Sequence, residues 1–244
     1  MERHRPGAQL PYKVLAGVEP CPGGWLVVSG KLQGTNLFPQ PPEIFKNFIE
    51  VLDYKPTYDV IALHAPVGLP TSPDPGGRRC DREGRKMVGA ARAAAVALAP
   101  TRSAVRARTF EEAWECNGGQ LSAILWASMP RIREVDEQIQ PYWQRTVYEV
   151  NPELGFLRLN EESPLRFAKR SIIGLKERVQ LLEENMPGAE RIVHMKTPRG
   201  ARQRHVLDAL ADLWTARRIL SRSIVRIPDE PEWDDEGLRM EIIR

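Results

Sequence analysis

At 244 residues, with 42% apolar and 27% charged residues, the chain has the composition of a soluble globular protein and is long enough to bury a core without staples. No run approaches the roughly 18 apolar residues of a membrane span, and the opening stretch around Arg3, His4 and Arg5 lacks the apolar centre of a secretory leader, so a cytoplasmic, non-membrane protein is expected. Three cysteines, Cys21, Cys80 and Cys116, are odd in number and widely spaced, which argues against a disulfide framework.

In chain order, residues 1–12 are expected to be a flexible tail and 13–244 a single domain. Lys13–Gly17, Trp25–Ser29 and Lys31–Phe38 read as three short strands joined by Gly- and Pro-rich connections, hence an antiparallel meander. Apolar residues at Ile44, Phe45, Phe48, Ile49 and Leu52 have helical spacing and predict a helix over 42–54. Asp59–Leu63 is a continuous apolar run suited to a central strand. Helices are predicted over 80–97, 109–116 and 121–138, with Thr109 and Glu112 spaced as a capping box. The stretch from about 70 to 140 reads as a helical insertion over one end of the sheet. A strand at 146–150, a helix over 177–185, a long helix over 202–221 and a last strand or arm at 238–243 complete the order. The pattern predicts an α/β fold: a mixed sheet with helices on both faces.

Charge is segregated along the chain. Residues 78–108 hold nine basic against two acidic residues, and residues 191–226 again nine against two. Arginines outnumber lysines 27 to 8, and guanidinium suits two-pronged contact with phosphate. Nucleic acid is therefore a candidate partner, with Arg78, Arg79, Arg82, Arg85 and Arg92 as candidate contacts; the alternative is solvated helix faces.

Six stretches carry chemistry. Gly17–Trp25 ends a strand in a carboxylate, Glu19, before a Gly-Gly turn. The central strand delivers His64 at its C-terminal end, where open α/β sheets place ligands. Cys80-Asp81-Arg82, Pro130–Asp136 and Glu149-Val150-Asn151-Pro152-Glu153 follow. On the late helix, His205, Asp208, Asp212 and Thr215 share one face, which a solvated polar stripe would also explain.

Together and in this order, from about Ala16 to Ile242, these stretches resemble the domain of unknown function 429 family of predicted RNase H-like nucleases. The resemblance implies an RNase H-like fold and a metal-dependent nuclease acting on DNA or RNA. Two Mg²⁺ or Mn²⁺ ions would activate water and stabilise the leaving oxygen. It carries Glu19, His64, Glu149 or Glu153, and Asp208 into the catalytic set, with Glu19 and Asp208 as metal ligands. The chain departs from the family pattern where Glu19 replaces Asp, His64 replaces an acid, Asn151 replaces His, and Ala93, Ala94 and Ala95 replace small hydroxyl residues. Imidazole in place of carboxylate weakens a site for hard cations. The second expectation is accordingly a catalytically degenerate member that binds nucleic acid or a protein.

Overall fold

The computed structural model describes residues 12–244; the tail expected over 1–12 lies outside the described residues up to residue 11. Strand β1 (Lys13–Cys21) turns through Pro22 and Gly23 into β2 (Gly24–Gln33), and the two pair antiparallel along their whole length. The meander continues into β3 (Asn36–Pro39), which pairs with residues 30–33 of β2.

A fourth strand, β4 (Glu43–Phe45), occupies the rest of the same edge of β2, so the helix expected over 42–54 shrinks to α1 (Phe48–Leu52). The reason is backbone satisfaction. Residues 25–27 of β2 would otherwise present unpaired N–H and C=O groups, and pairing with 43–45 answers them.

On the other side of β1, β5 (Val60–Leu63) runs parallel to it, and β6 (Val147–Glu149) runs parallel to β5. The sheet order is β3-β2-β1-β5-β6. β5 is buried on both faces, as its unbroken apolar run requires.

Between β5 and β6 lie α2 (Arg79–Val88), α3 (Arg102–Arg106), α4 (Phe110–Cys116) and α5 (Ala123–Gln138). The helix expected over 80–97 stops at Gly89, whose φ of +79° ends α2, and resumes only as a 3-10 turn at Ala93–Ala95. Thr109 caps α4 by accepting from Glu112 N at 3.1 Å, but Glu112 answers Arg108 N and not Thr109 N. Leu69, Val105, Met129 and Ile132 give this segment a small core of its own. After β6 come α6 (Pro152–Leu159), α7 (Ile172–Asn185), α8 (Ala189–His194) and α9 (Gln203–Leu220). A hairpin, β7 (Arg226–Trp233) and β8 (Arg239–Ile243), closes the chain, and Ile243 bridges to Val150 beyond the end of β6.

The period of two along β1 decides both layers. Leu15 joins Leu26, Val28 and Ala62 beneath α9, while Val14, Ala16 and Val18 face Phe48 of α1 and Val135 of α5. Helices therefore cover both faces, as expected. α9 lies so close to β1 that a Cβ on Gly17 would sit 1.9 Å from the Ala209 carbonyl oxygen. That contact sets the depth of α9 and places its polar residues.

Candidate functional site

Glu19 is two residues beyond Gly17 and shares its face, so it points towards α9 near the C-terminal end of β1, 6% exposed. His64 leaves β5 beside it, its N–H continuing the ladder to Val18 O at 2.9 Å. The two side chains meet, with Glu19 Oε2 2.6 Å from His64 Nδ1.

Asn151 settles which ring nitrogen holds the proton. It caps α6, its Oδ1 accepting from Glu153 N at 3.0 Å and Leu154 N at 3.4 Å. Its Nδ2 is thereby turned to Ala95 O at 3.1 Å and His64 Nε2 at 3.4 Å. In the neutral ring a donor facing Nε2 favours a lone pair there, so Nδ1 carries the hydrogen and donates it to Glu19. Burial opposes charging His64, but the charge and hydrogen bond of Glu19 outweigh it and hold the pKa above its usual value.

Asp208 and Asp212, one turn apart on α9, are 2% and 0% exposed. The stripe of His205, Asp208, Asp212 and Thr215 is thus buried, not solvated: α9 is packed between the sheet and α6–α8. Lys169, from the loop after α6, forms an ion pair with Asp208 Oδ2. Asp208 Oδ1 and both oxygens of Asp212 are buried without a hydrogen-bond partner among the described residues. Burial pushes the Asp208 carboxyl up to about 7, with Lys169 opposing and Glu19 assisting. Burial, then Glu19 and Asp208, raise the Asp212 carboxyl well above its usual value and favour its neutral form.

These shifts fix the sign of a pH effect. Raised pKa values on Asp208 and Asp212 mean that the folded state binds more protons than the unfolded one from about pH 4 upwards, to about 7 for Asp208, and His64 adds its share only above its usual value of 6.5. Each contributes stability that is present at low pH and lost as pH rises through the folded pKa. Tm should fall across this window by about 3 °C per pH unit per fully engaged group, and Asp208→Asn should flatten the slope. Thermal melts at fixed ionic strength read it; an unchanged slope in the variant refutes the assignment.

The other expected acids are elsewhere. Glu149 points away from α9, its carboxylate gripped by Arg78 at 2.5 and 2.8 Å and by Val67 N at 2.7 Å. Glu153, in the first turn of α6, is held by Arg178 at 2.8 and 3.0 Å and approached by Arg92 at 3.5 Å. Sequence reasoning missed Lys169 and Arg178; neither belongs to a motif, and Lys169 is 39 residues from its partner.

The five arginines expected to contact nucleic acid all make bonds within the protein. Arg78 is 3% exposed and fully bonded inside the protein. Arg82 donates to Gly77 O, Arg85 to the carbonyls of Ala93 and Val96 at 3.0 Å, and Arg92 to Leu165 O and Phe167 O. Arg79 alone of the five is exposed, paired with Glu83 four residues on. The bonds of Arg82, Arg85 and Arg92 to backbone carbonyls tie loops down.

Above His64 and Asn151, between the C-terminal ends of β5 and β6 and the inserted helices, opens a cleft of about 590 Å³. Its walls are mainly apolar, with Pro66, Pro70, Val96, Leu98 and Leu125 among them.

The residues present do not fit two divalent ions. Among the described residues no three of His, Cys, Asp and Glu are grouped so as to hold one. Glu19 is engaged by His64, Asp208 by Lys169, and an ammonium already stands among the acids. Mg²⁺ asks for near-octahedral oxygens at close range, which this arrangement does not supply. No helix of the described residues is long and apolar enough to cross a membrane.

A family model described as "Protein of unknown function (DUF429)" matches residues 17–233. No curated protein and no solved structure matches the chain.

Proposed function

The chain belongs to the domain of unknown function 429 family, and from that membership we propose that it is an RNase H-like domain without a two-metal nuclease centre, which works by holding a compact, largely apolar ligand in the cleft above His64. The sheet is compatible with the RNase H-like reading: an antiparallel β1-β2-β3 meander with β4 on its edge, β5 parallel to β1 and β6 parallel to β5, and a late helix bearing Asp208 against β1.

One observation carries the loss of nuclease chemistry. Every acid in the expected catalytic set has a partner from within the protein: Glu19 has His64, Asp208 has Lys169, Glu149 has Arg78, and Glu153 has Arg178. A carboxylate already countered by an internal cation or donor has less negative charge and fewer lone pairs to offer a metal. The cleft supports the ligand. Its volume falls in the range of small-molecule pockets, and its walls are mainly apolar, the arginines that line it, Arg78, Arg85 and Arg131, each being bonded within the protein. At its floor His64 Nε2, approached only at 3.4 Å by Asn151 Nδ2, is an acceptor while the ring is neutral, which suits a neutral ligand whose one hydrogen-bond donor displaces that long contact.

The test has two arms. Pure protein with Mg²⁺ or Mn²⁺ should leave DNA and RNA intact; cutting that disappears in Asp208→Ala would reinstate the nuclease. The fluorescent probe 2-naphthol, an apolar bicycle with a single O–H, should bind saturably, and His64→Leu should weaken it about tenfold, the worth of one hydrogen bond. Binding indifferent to His64 refutes the ligand reading.

A further inference from the structure

His64 leaves a strand that is held from both sides. Its own N–H donates to Val18 O at 2.9 Å, and the carbonyl before it, Leu63 O, accepts from Val150 N at 2.9 Å. Glu19 anchors the ring at Nδ1, 2.6 Å away, and the His64 side chain is 28% exposed, so Nε2 is the atom that a molecule in the cleft can reach. A neutral imidazole with a carboxylate behind Nδ1 and a lone pair at Nε2 has the form of a general base. The carboxylate fixes the tautomer and stabilises the imidazolium that forms when Nε2 takes a proton. Burial opposes that charged form, Glu19 from β1 and then Asp208 from α9 favour it, and Lys169 opposes it, with the balance on the side of charge. Among the described residues no hydroxyl or thiol bonds the ring, so the base has no side-chain nucleophile to activate and acts on what enters the cleft.

Asn151 supplies a donor beside it. Two backbone N–H groups of α6 hold its Oδ1, and Ala95 O holds one hydrogen of Nδ2 at 3.1 Å. The turn that carries Ala95 is pinned by Arg85, which donates to Ala93 O and Val96 O. The second Nδ2 hydrogen is left towards His64 Nε2, 3.4 Å away, where an incoming carbonyl oxygen would accept it.

We propose that the cleft hydrolyses small neutral carboxylic esters, with His64 as general base, Asn151 as donor to the carbonyl oxygen and water as nucleophile. The proposal rests on the reading above that the cleft holds a compact apolar molecule. Nε2 takes a proton from water as the water oxygen bonds to the ester carbon, and the carbonyl electron pair moves onto its oxygen beside Asn151 Nδ2. When that pair returns, the bond to the leaving oxygen breaks, and this oxygen takes the proton back from Nε2. The products are a carboxylic acid and an alcohol, and nothing is oxidised or reduced. Mainly apolar walls, with Arg78, Arg85 and Arg131 bonded internally, favour a neutral ester over a phosphate ester. Glu19 acts through His64 and is a positioning residue.

Hydrolysis of 2-naphthyl acetate by the full chain, read as fluorescence of the 2-naphthol released, tests it. The wild type should turn over saturably above the buffer rate. His64→Leu should lower kcat about a hundredfold or more, against the loss of about tenfold expected in 2-naphthol binding. Imidazole added to His64→Gly should restore part of the rate, which a folding defect would not allow. Glu19→Gln should move the acid limb of kcat/KM to lower pH, because His64 loses the charge that favours its protonation. Asn151→Ser keeps a capping oxygen for α6 and loses Nδ2, and should lower kcat about tenfold or more with KM little changed. No turnover, turnover untouched in His64→Leu or Asn151→Ser, a rate that imidazole cannot restore, or an acid limb unmoved in Glu19→Gln overturns the proposal. Binding of 2-naphthol without turnover sinks this inference alone; no binding of 2-naphthol sinks the reading beneath it as well.

Discussion

Arg78→Met should lower stability by about 3–5 kcal/mol, roughly 10 °C or more in Tm. The guanidinium spans two carboxylates, Glu149 at 2.5 and 2.8 Å and Asp81 at 2.7 and 3.2 Å, and also donates to Gly68 O at 3.0 Å. Asp81 is 0% and Glu149 7% exposed, so neither acid finds water when the arginine leaves. Methionine keeps much of the volume and none of the donors. Burial already pushes the Glu149 carboxyl up, with Arg78 as the main opposing influence. Without Arg78 both acids must protonate or drag water in. The deficit should therefore shrink as pH falls and the acids become neutral. The triple variant Arg78→Met, Asp81→Asn, Glu149→Gln should recover much of the loss, because the penalty lies in the abandoned charges. Arg78→Lys should not rescue, since a single ammonium cannot serve two carboxylates in two-pronged fashion. Urea melts across this set decide the matter; a loss under about 1 kcal/mol for Arg78→Met would show that the clamp is dispensable. The consequence reaches the cleft, because the same clamp joins the end of β6 to α2 and to the Val67–Gly68 backbone beneath the inserted helices.

Gly17→Ala is the second large effect. Its Cβ would fall 1.9 Å from Ala209 O and 2.4 Å from Leu213 N, both backbone atoms of α9. Rotamer changes cannot relieve a clash with backbone, so the helix must move off the sheet. Overpacking of this kind costs about 3 kcal/mol or more, and Gly17→Val should cost more still. Gly34 supplies the control. It has a φ of +59° and nothing within 4 Å of an added Cβ, so Gly34→Ala should cost only about 1 kcal/mol, from backbone conformation. Equal losses at the two glycines would refute the packing account. Because α9 carries Asp208 and Asp212, displacing it also pulls both acids away from Glu19. Gly17→Ala should therefore flatten the pH dependence of stability as well as lower its level.

The places where the chain's local pattern misleads are instructive. Ile44 and Phe45 continue the helical spacing of Phe48, Ile49 and Leu52, yet they lie in β4, because an open edge of β2 competes for their backbone. The polar stripe on α9 has the spacing of a solvated face and is buried, because a helix between a sheet and three other helices has no solvated face to offer. Glu149 and Glu153, four residues apart in one motif, end on different arginines, since the strand-to-helix turn at Pro152 sends their side chains to opposite sides. Lys169 and Arg178 were silent in sequence: a lysine in a loop and an arginine in a helix have no period or spacing that marks a partner.

By itself the sequence determined what short-range physics controls. The Gly-Gly turn after Glu19, the unbroken apolar run of β5, the Thr109 cap and the long helix over 202–221 each follow from local backbone and burial preferences, and together they settle a mixed α/β sheet covered on both faces. The ordered motifs also marked Glu19, His64 and Asp208 as residues that belong together. Only the tertiary structure decided what charge state and partner each would have. Coulomb interaction and desolvation act between groups close in space, and the chain brings Lys169 to Asp208 and Arg78 to Glu149 from 39 and 71 residues away.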